Sequence, residues 1–268
     1  MDFSFSDAEL MFQRGVRRFA LERLAPVYAR WDEGEDLPKE LIKEFAQLGL
    51  TGLRIPQEYG GQDAPFTLGG IASEEIGRGD LNFQNLIGIP AIVAEALKLA
   101  TPEVKARWLP AMARGEAVCA IALTEPEAGS DATQIRTRAQ REGDDYILHG
   151  EKSSITFAGL ADVALVFART GGEGARGVSA FLVPLDLPGV TRTVYRSPGQ
   201  RVTQRGSIFF DGVHVARSHL VGEENRGFSQ AMQGFDFNRA MIALACIGAA
   251  NASLEETIEY LKSTLKEE

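Results

Sequence analysis

The pattern of apolar residues changes near residue 117, and that change restricts the fold more than any other feature of the chain. Before it, apolar residues recur at helical spacing. After it, short β-rich runs alternate with turn formers until about residue 226, where helical spacing returns. Helical and strand patterns segregated in this way argue against an alternating βαβ parallel sheet and predict an α+β, multidomain architecture. The expected division is an N-terminal all-α domain over 1–116, a middle β barrel or sandwich over 117–226, and a terminal helical segment over 227–268. A chain of 268 residues can hold two domains with sizeable cores.

Local signals fill in the elements. Ser6 or Asp7 caps a first helix with Leu10, Val16, Phe19 and Leu24 inward, ending near Pro26. Pro38 opens a second helix, with Gly49 as its stop. Helices return over 68–76 and 81–99, and Thr101-Pro102 is an N-cap followed by a first-turn proline. Strands are predicted over 118–123, 137–141, 146–149, 162–168, 178–183, 190–195 and 207–210, with turns at 143–145 and 171–174. In the terminal segment Met232, Phe235, Met241, Leu244, Ile247 and Leu254 make an apolar set too broad for a lone surface helix. Self-association is the expected way to cover it.

Composition removes several classes of function. Hydrophobic residues make up 44% and charged residues 24%, the balance of an ordinary globular chain. The formal net charge of −9, with no basic block, argues against a nucleic-acid partner. No stretch reads as apolar enough to span a bilayer, and the start MDFSFSDAEL resembles neither a signal nor a transit peptide, so the expected location is the cytoplasm. Cys119 and Cys246 sit among apolar residues and read as small buried hydrophobes, with no disulfide or metal-ligand spacing. His214 and His219 have no third ligand nearby, and no nucleophile motif accompanies the histidines, so neither a metal site nor hydrolase chemistry is expected. Residues 172–177 match G-x-G-x-x-G, but a strand follows where a dinucleotide fingerprint must open a helix. That segment is a hairpin loop.

The informative stretch is 120–131, AIALTEPEAGSD. An apolar run is stopped by Pro126, which fixes φ and removes a donor. Thr124 and Ser130 offer hydroxyls, and Gly129 lets the backbone approach a neighbour. Such a turn at a strand end suits a polar, planar or anionic ligand. On the residues alone, an ordinary strand-ending turn accounts for it equally well.

LTEPEAGSD resembles the flavin-binding segment of the acyl-CoA dehydrogenase family. The resemblance extends to Lys105-Ala-Arg-Trp-Leu-Pro110, Gly115-Glu116, Gly150-Glu151-Lys152, Ile155-Thr156, Ala161-Asp162, Gly227-Phe228 and Phe235-Asp-Phe-Asn-Arg239, in family order from about residue 5 to about residue 260. It implies FAD as cofactor, an acyl-CoA thioester as substrate and an electron-transfer flavoprotein as acceptor. It also implies a role in fatty or alicyclic acid degradation, and a homo-oligomer or heteromer that completes a C-terminal helical bundle begun by residues 227–268. The FAD contacts it implies are Ile121, Leu123, Thr124, Gly129, Ser130, Ser154, Ile155 and Thr156, with Thr124 at the pyrimidine edge and Thr156 near flavin N5. Ser130, Asp236 and Arg239 match positions that contact the CoA portion. Without the resemblance, both threonines read as ordinary strand residues and Asp236–Arg239 as a surface pair at i, i+3.

Departures from the family pattern matter. Ser154 stands where the family usually has a tryptophan stacked on the flavin. Residues 153–156 and 232–239 most resemble the cyclohexanecarboxyl-CoA dehydrogenase branch. The family's catalytic glutamate lies in a C-terminal region that this chain does not reach, or in a minority at the position of Asn238, which cannot accept a proton. Leu261 to Glu268 replace an Arg-x-x-Phe-Gly segment that holds a neighbouring subunit's FAD. The expectation is a truncated chain with no assigned catalytic residue. A non-catalytic subunit and a flavin-dependent monooxygenase are the two other readings.

Overall fold

The computed structural model describes residues 4–264, apart from the side chains of residues 230–233. Helix α1 (Asp7–Phe19) starts from a capping box: the Ser6 hydroxyl accepts the Glu9 N–H, and the Glu9 carboxylate accepts the Ser6 N–H at 2.8 Å. It continues into a π-helical turn, Ala20–Leu24. Helix α2 (Tyr28–Glu33) is absent from the sequence reading; it buries Trp31 against Phe83 with ring centroids 4.8 Å apart. Helix α3 (Lys39–Gln47) takes Pro38 as its N-cap and so starts one residue later than expected, and Gly49 follows it at φ +75°. Helix α4 (Phe66–Gly79) leads through a 3₁₀ turn (Leu81–Gln84) to α5 (Asn85–Leu97), which tolerates Pro90 within it. Helix α6 (Pro102–Ala113) is capped by Thr101, as its sequence predicts.

The middle of the chain is one eight-stranded sheet: β1 (Cys119–Ala122), β2 (Arg138–Glu142), β3 (Asp145–Ile155), β4 (Val163–Arg169), β5 (Val178–Pro184), β6 (Val190–Val194), β7 (Gly206–Val215) and β8 (Leu220–Val221). Its order is β6-β7-β3-β2-β4-β5-β8, with β1 also on β4. The β1–β4 pairing is parallel, but strands β2 and β3 connect the two, so no helical crossover interrupts the sheet. Residues 172–177 lie in the loop between antiparallel β4 and β5. Strand β3 runs well beyond the predicted 146–149, with register shifts between Leu148 and Gly150 and between Lys152 and Ile155.

Helix α7 (Gly227–Thr264) lies along α4 and α5. It crosses α4 at backbone distance: a Cβ on Gly77 would sit 2.2 Å from Ala245 O, and one on Gly248 would sit 1.9 Å from Glu74 O. Met241 and Ala245 are buried there, whereas Ile242, Ile247, Leu254, Ile258 and Leu261 are exposed. The Met232 side chain and residues 265–268 fall outside the described residues. Two sequence expectations are corrected on this helix. Cys246 is exposed, and only Cys119 is buried, because position 246 falls on the helix face turned away from α4. By length and composition α7 is also apolar enough to cross a membrane, and most of it is exposed apart from the face that carries Met241 and Ala245. The chain is therefore an α+β protein with an N-terminal helical domain, a middle β-sheet domain and a C-terminal helix.

Candidate active site

Past β1 the chain makes a tight turn. Glu125 N–H donates to Ala128 O at 3.1 Å and Ala128 N–H donates back to Glu125 O at 3.2 Å, with Pro126 and Glu127 at the tip. The end of β3 comes to the same place: Ser153 N–H donates to Thr124 O at 2.9 Å. Two segments distant in sequence and both matched to the flavin-contact pattern are thus joined backbone to backbone. Thr124 and Thr156 are half-buried, and Gly129, Ser130 and Ser154 are exposed. Leu123 and Ile155 are buried, and Ile121 is partly so.

Among the described residues, the hydroxyls of Thr124, Ser130 and Thr156 make no protein hydrogen bond, and a Cβ on Gly129 would meet nothing within 4 Å. Free donors beside open backbone fit a polar, planar group such as the flavin ring. Ser154 adopts φ +58°, and its N–H reaches Tyr195 Oη at 3.3 Å. Tyr195 Oη lies 2.7 Å from Ser207 Oγ, which donates to Glu151 Oε1 at 3.0 Å. The Tyr195 hydroxyl, from just beyond β6, therefore engages the main chain of Ser154, where the family pattern has a tryptophan.

Beneath the turn lies an ion pair to which sequence reasoning gave no role. Lys152 is fully buried, and its Nζ donates to Glu125 Oε1 at 2.6 Å and to Leu123 O at 3.0 Å. Glu125 also accepts N–H bonds from Arg136 and Thr137. Burial opposes its ionisation, but the Lys152 charge and these hydrogen bonds outweigh it and hold the carboxyl below its usual range. Burial pulls Lys152 down to about 8 against the Glu125 charge. Both residues fall within the matched motifs, which was the only sequence signal available. Arg169, at the end of β4, secures the following loop by donating to Ile135 O at 3.0 Å and Thr133 O at 2.7 Å.

Helix α5 forms a wall shared by the sheet and α7. Leu86 and Pro90 line a small void with Val118, Cys119 and Phe157. Gln84 Nε2 donates to Asn238 Oδ1 at 3.3 Å, and Gly88 leaves room for that oxygen, which would lie 2.3 Å from a Cβ there. Asp236 and Arg239 pair with each other on the exposed face of α7 at 2.5 Å. No hydrogen bond or ion pair joins them to Ser130 among the described residues.

Known proteins share this organisation. Residues 6–116, 120–213 and 225–268 match the family models for the N-terminal, middle and C-terminal domains of acyl-CoA dehydrogenase. The chain is 34% identical to a 3-(aryl)acrylate reductase of Clostridium sporogenes, covering 96% of this chain and 70% of that protein. Butyryl-CoA dehydrogenase from Megasphaera elsdenii superposes with a TM-score of 0.91 at 31% identity, covering 97% of this chain and 70% of that one. A glutaryl-CoA dehydrogenase from Mycobacterium smegmatis, solved in complex with FADH2, gives 0.89 at 35% identity, covering 97% of this chain and 66% of that one. Sequence match, fold and site geometry agree: the chain belongs to the acyl-CoA dehydrogenase family.

Proposed function

We propose that this chain carries FAD between the Thr124 turn and residues 153–156, and that it catalyses oxidoreduction at the Cα–Cβ bond of an acyl-CoA thioester. The Ser153–Thr124 backbone bond carries the reading, because it brings the two flavin-contact segments to one site. FAD, when bound, exchanges hydride with the β-carbon. Thr124 and Thr156 supply uncommitted hydroxyls for polar atoms of the ring, where such bonds favour negative charge on its reduced form. Ile121, Leu123, Gly129, Ser130 and Ile155 contribute main chain, and Ser154 leaves the ring face open.

Ser130, Asp236 and Arg239 are the proposed CoA contacts. Arg239 gives an anionic ligand local positive charge on a chain of net charge −9. Serine rather than tryptophan at 154 gives room for a bulky acyl group, which supports an alicyclic substrate of the cyclohexanecarboxyl-CoA type. Asn238 takes no proton from the α-carbon. We further propose an electron-transfer flavoprotein as the acceptor.

The test is anaerobic. Purified protein is loaded with FAD and titrated with straight-chain and alicyclic acyl-CoAs and their enoyl forms, while the flavin band is followed. Bleaching of oxidised flavin by an acyl-CoA, or reoxidation of reduced flavin by an enoyl-CoA, is expected. A chain that binds no flavin overturns the reading, and a product formed only with oxygen assigns a monooxygenase instead.

A further inference from the structure

We infer that Lys152 is a positioning residue for the flavin-facing turn, gripping the chain on both sides of Thr124. The inference deepens the proposed function and rests on its assignment of Thr124 to the flavin. The geometry is a clasp between three consecutive residues and two others. Lys152 Nζ takes the carbonyl of Leu123 and the carboxylate of Glu125, while Ser153 N–H takes the carbonyl of Thr124 between them. Glu125 is anchored in turn by the N–H groups of Arg136 and Thr137, so the clasp is fixed to the strand entering β2.

Stability alone gives a poor reason for this arrangement. A buried ion pair is often no better than well-packed apolar residues of the same volume, because both charges must leave water. What the ion pair supplies here is direction. The ammonium offers three donors from one point, and two of them meet acceptors on residues 123 and 125. Thr124 is thereby held with its hydroxyl uncommitted and its carbonyl taken. Lys152 is also the last β3 residue paired with β7 before the register irregularity that spans Ser153 and Ser154, so the clasp sits where the two strands fall out of step.

The test separates holding from folding. Lys152→Met leaves Glu125 buried without its partner and is expected to lower stability. Lys152→Met combined with Glu125→Gln removes both charges and is expected to recover most of that loss. Glu125→Gln alone keeps the lysine bond to Leu123 O. Amide hydrogen exchange then reads the turn without any cofactor. In the double variant the Ser153 amide should exchange at least about tenfold faster, while amides of β5 stay protected. Unchanged Ser153 protection there overturns the inference.

Flavin affinity gives the second readout. The double variant should bind FAD about tenfold or more weakly, and Thr124→Ala should weaken binding by a smaller factor in that background than in the unmutated chain. Equal FAD affinity, or strictly multiplicative effects of the two changes, also overturns the inference. If the unmutated chain binds no FAD, the functional reading fails while the exchange result still decides whether Lys152 holds the turn.

Discussion

Asp80 caps the 3₁₀ turn ahead of α5, accepting the Asn82 N–H at 2.9 Å from a half-buried position. Burial pushes its carboxyl up to about 6 from an ordinary 3.8, against the Asn82 hydrogen bonds and with help from the Asp32 charge. The folded chain therefore holds this proton more tightly than the unfolded chain. Its contribution to stability is greatest below about 4 and is lost as pH rises through about 6. Asp80→Asn keeps a capping oxygen without the charge. Relative to that variant, the unmutated chain should gain on the order of 1–2 kcal/mol between pH 7 and pH 5, measured by denaturant unfolding. A second residue-scale prediction concerns Asn238. Asn238→Glu puts a carboxylate beside Gln84 on the α5 wall, and it should speed anaerobic flavin bleaching by about 10²-fold or more if that wall faces the acyl group. No change in rate would remove position 238 from the reaction.

At the scale of elements, the crossing of α4 and α7 depends on side chains being absent. A Cβ on Gly77 would overlap the main chain at Ala245, so Gly77→Val forces the helices apart and should cost about 3 kcal/mol or more by thermal unfolding, with the sheet's β3 and β5 amides least affected. Much of the element plan was legible in the sequence because its signals are local: the Ser6 box, the Thr101-Pro102 start and the Gly49 stop each fix a boundary within a few residues. Helix α2 escaped because its six residues offer a single buried position, Trp31, and hence no period. The far half of β3 escaped because Gly150, Glu151 and Lys152 break the alternation expected of a strand. Nothing local to Lys152 signals burial there. Its burial is set by Glu125, which reaches it only once β1 and β3 have been brought together, and no local pattern reports that contact.

For the whole molecule, the segregated periods gave the order of layers, while the pairing of segments 124 and 153 needed the fold. The outer face of α7 carries Ile242, Ile247, Leu254, Ile258 and Leu261, all exposed. That face is expected to drive self-association. Sedimentation velocity should show a concentration-dependent shift above the monomer, and Ile247→Asp with Leu254→Asp should abolish it without lowering the unfolding temperature. A monomer at all concentrations would count against the expectation.

Among its close contacts, helix α7 is seated against β5 at Gly227 near its start and against the α4 main chain at Ala245 and Gly248 further along. A Cβ on Gly227 would lie 2.5 Å from Ala180 N, so neither seat has slack. Between them the helix advances about 1.5 Å and turns about 100° per residue. The distance and angle between the sheet and the helical layer are therefore counted out in whole residues, as a ratchet counts teeth. One residue added or removed within 228–240 would swing the α4 seat about a quarter turn away from α4, however helical the altered sequence remained. Substitutions along the outer face leave that count untouched, so in this span the number of residues is a stricter constraint than most of their identities.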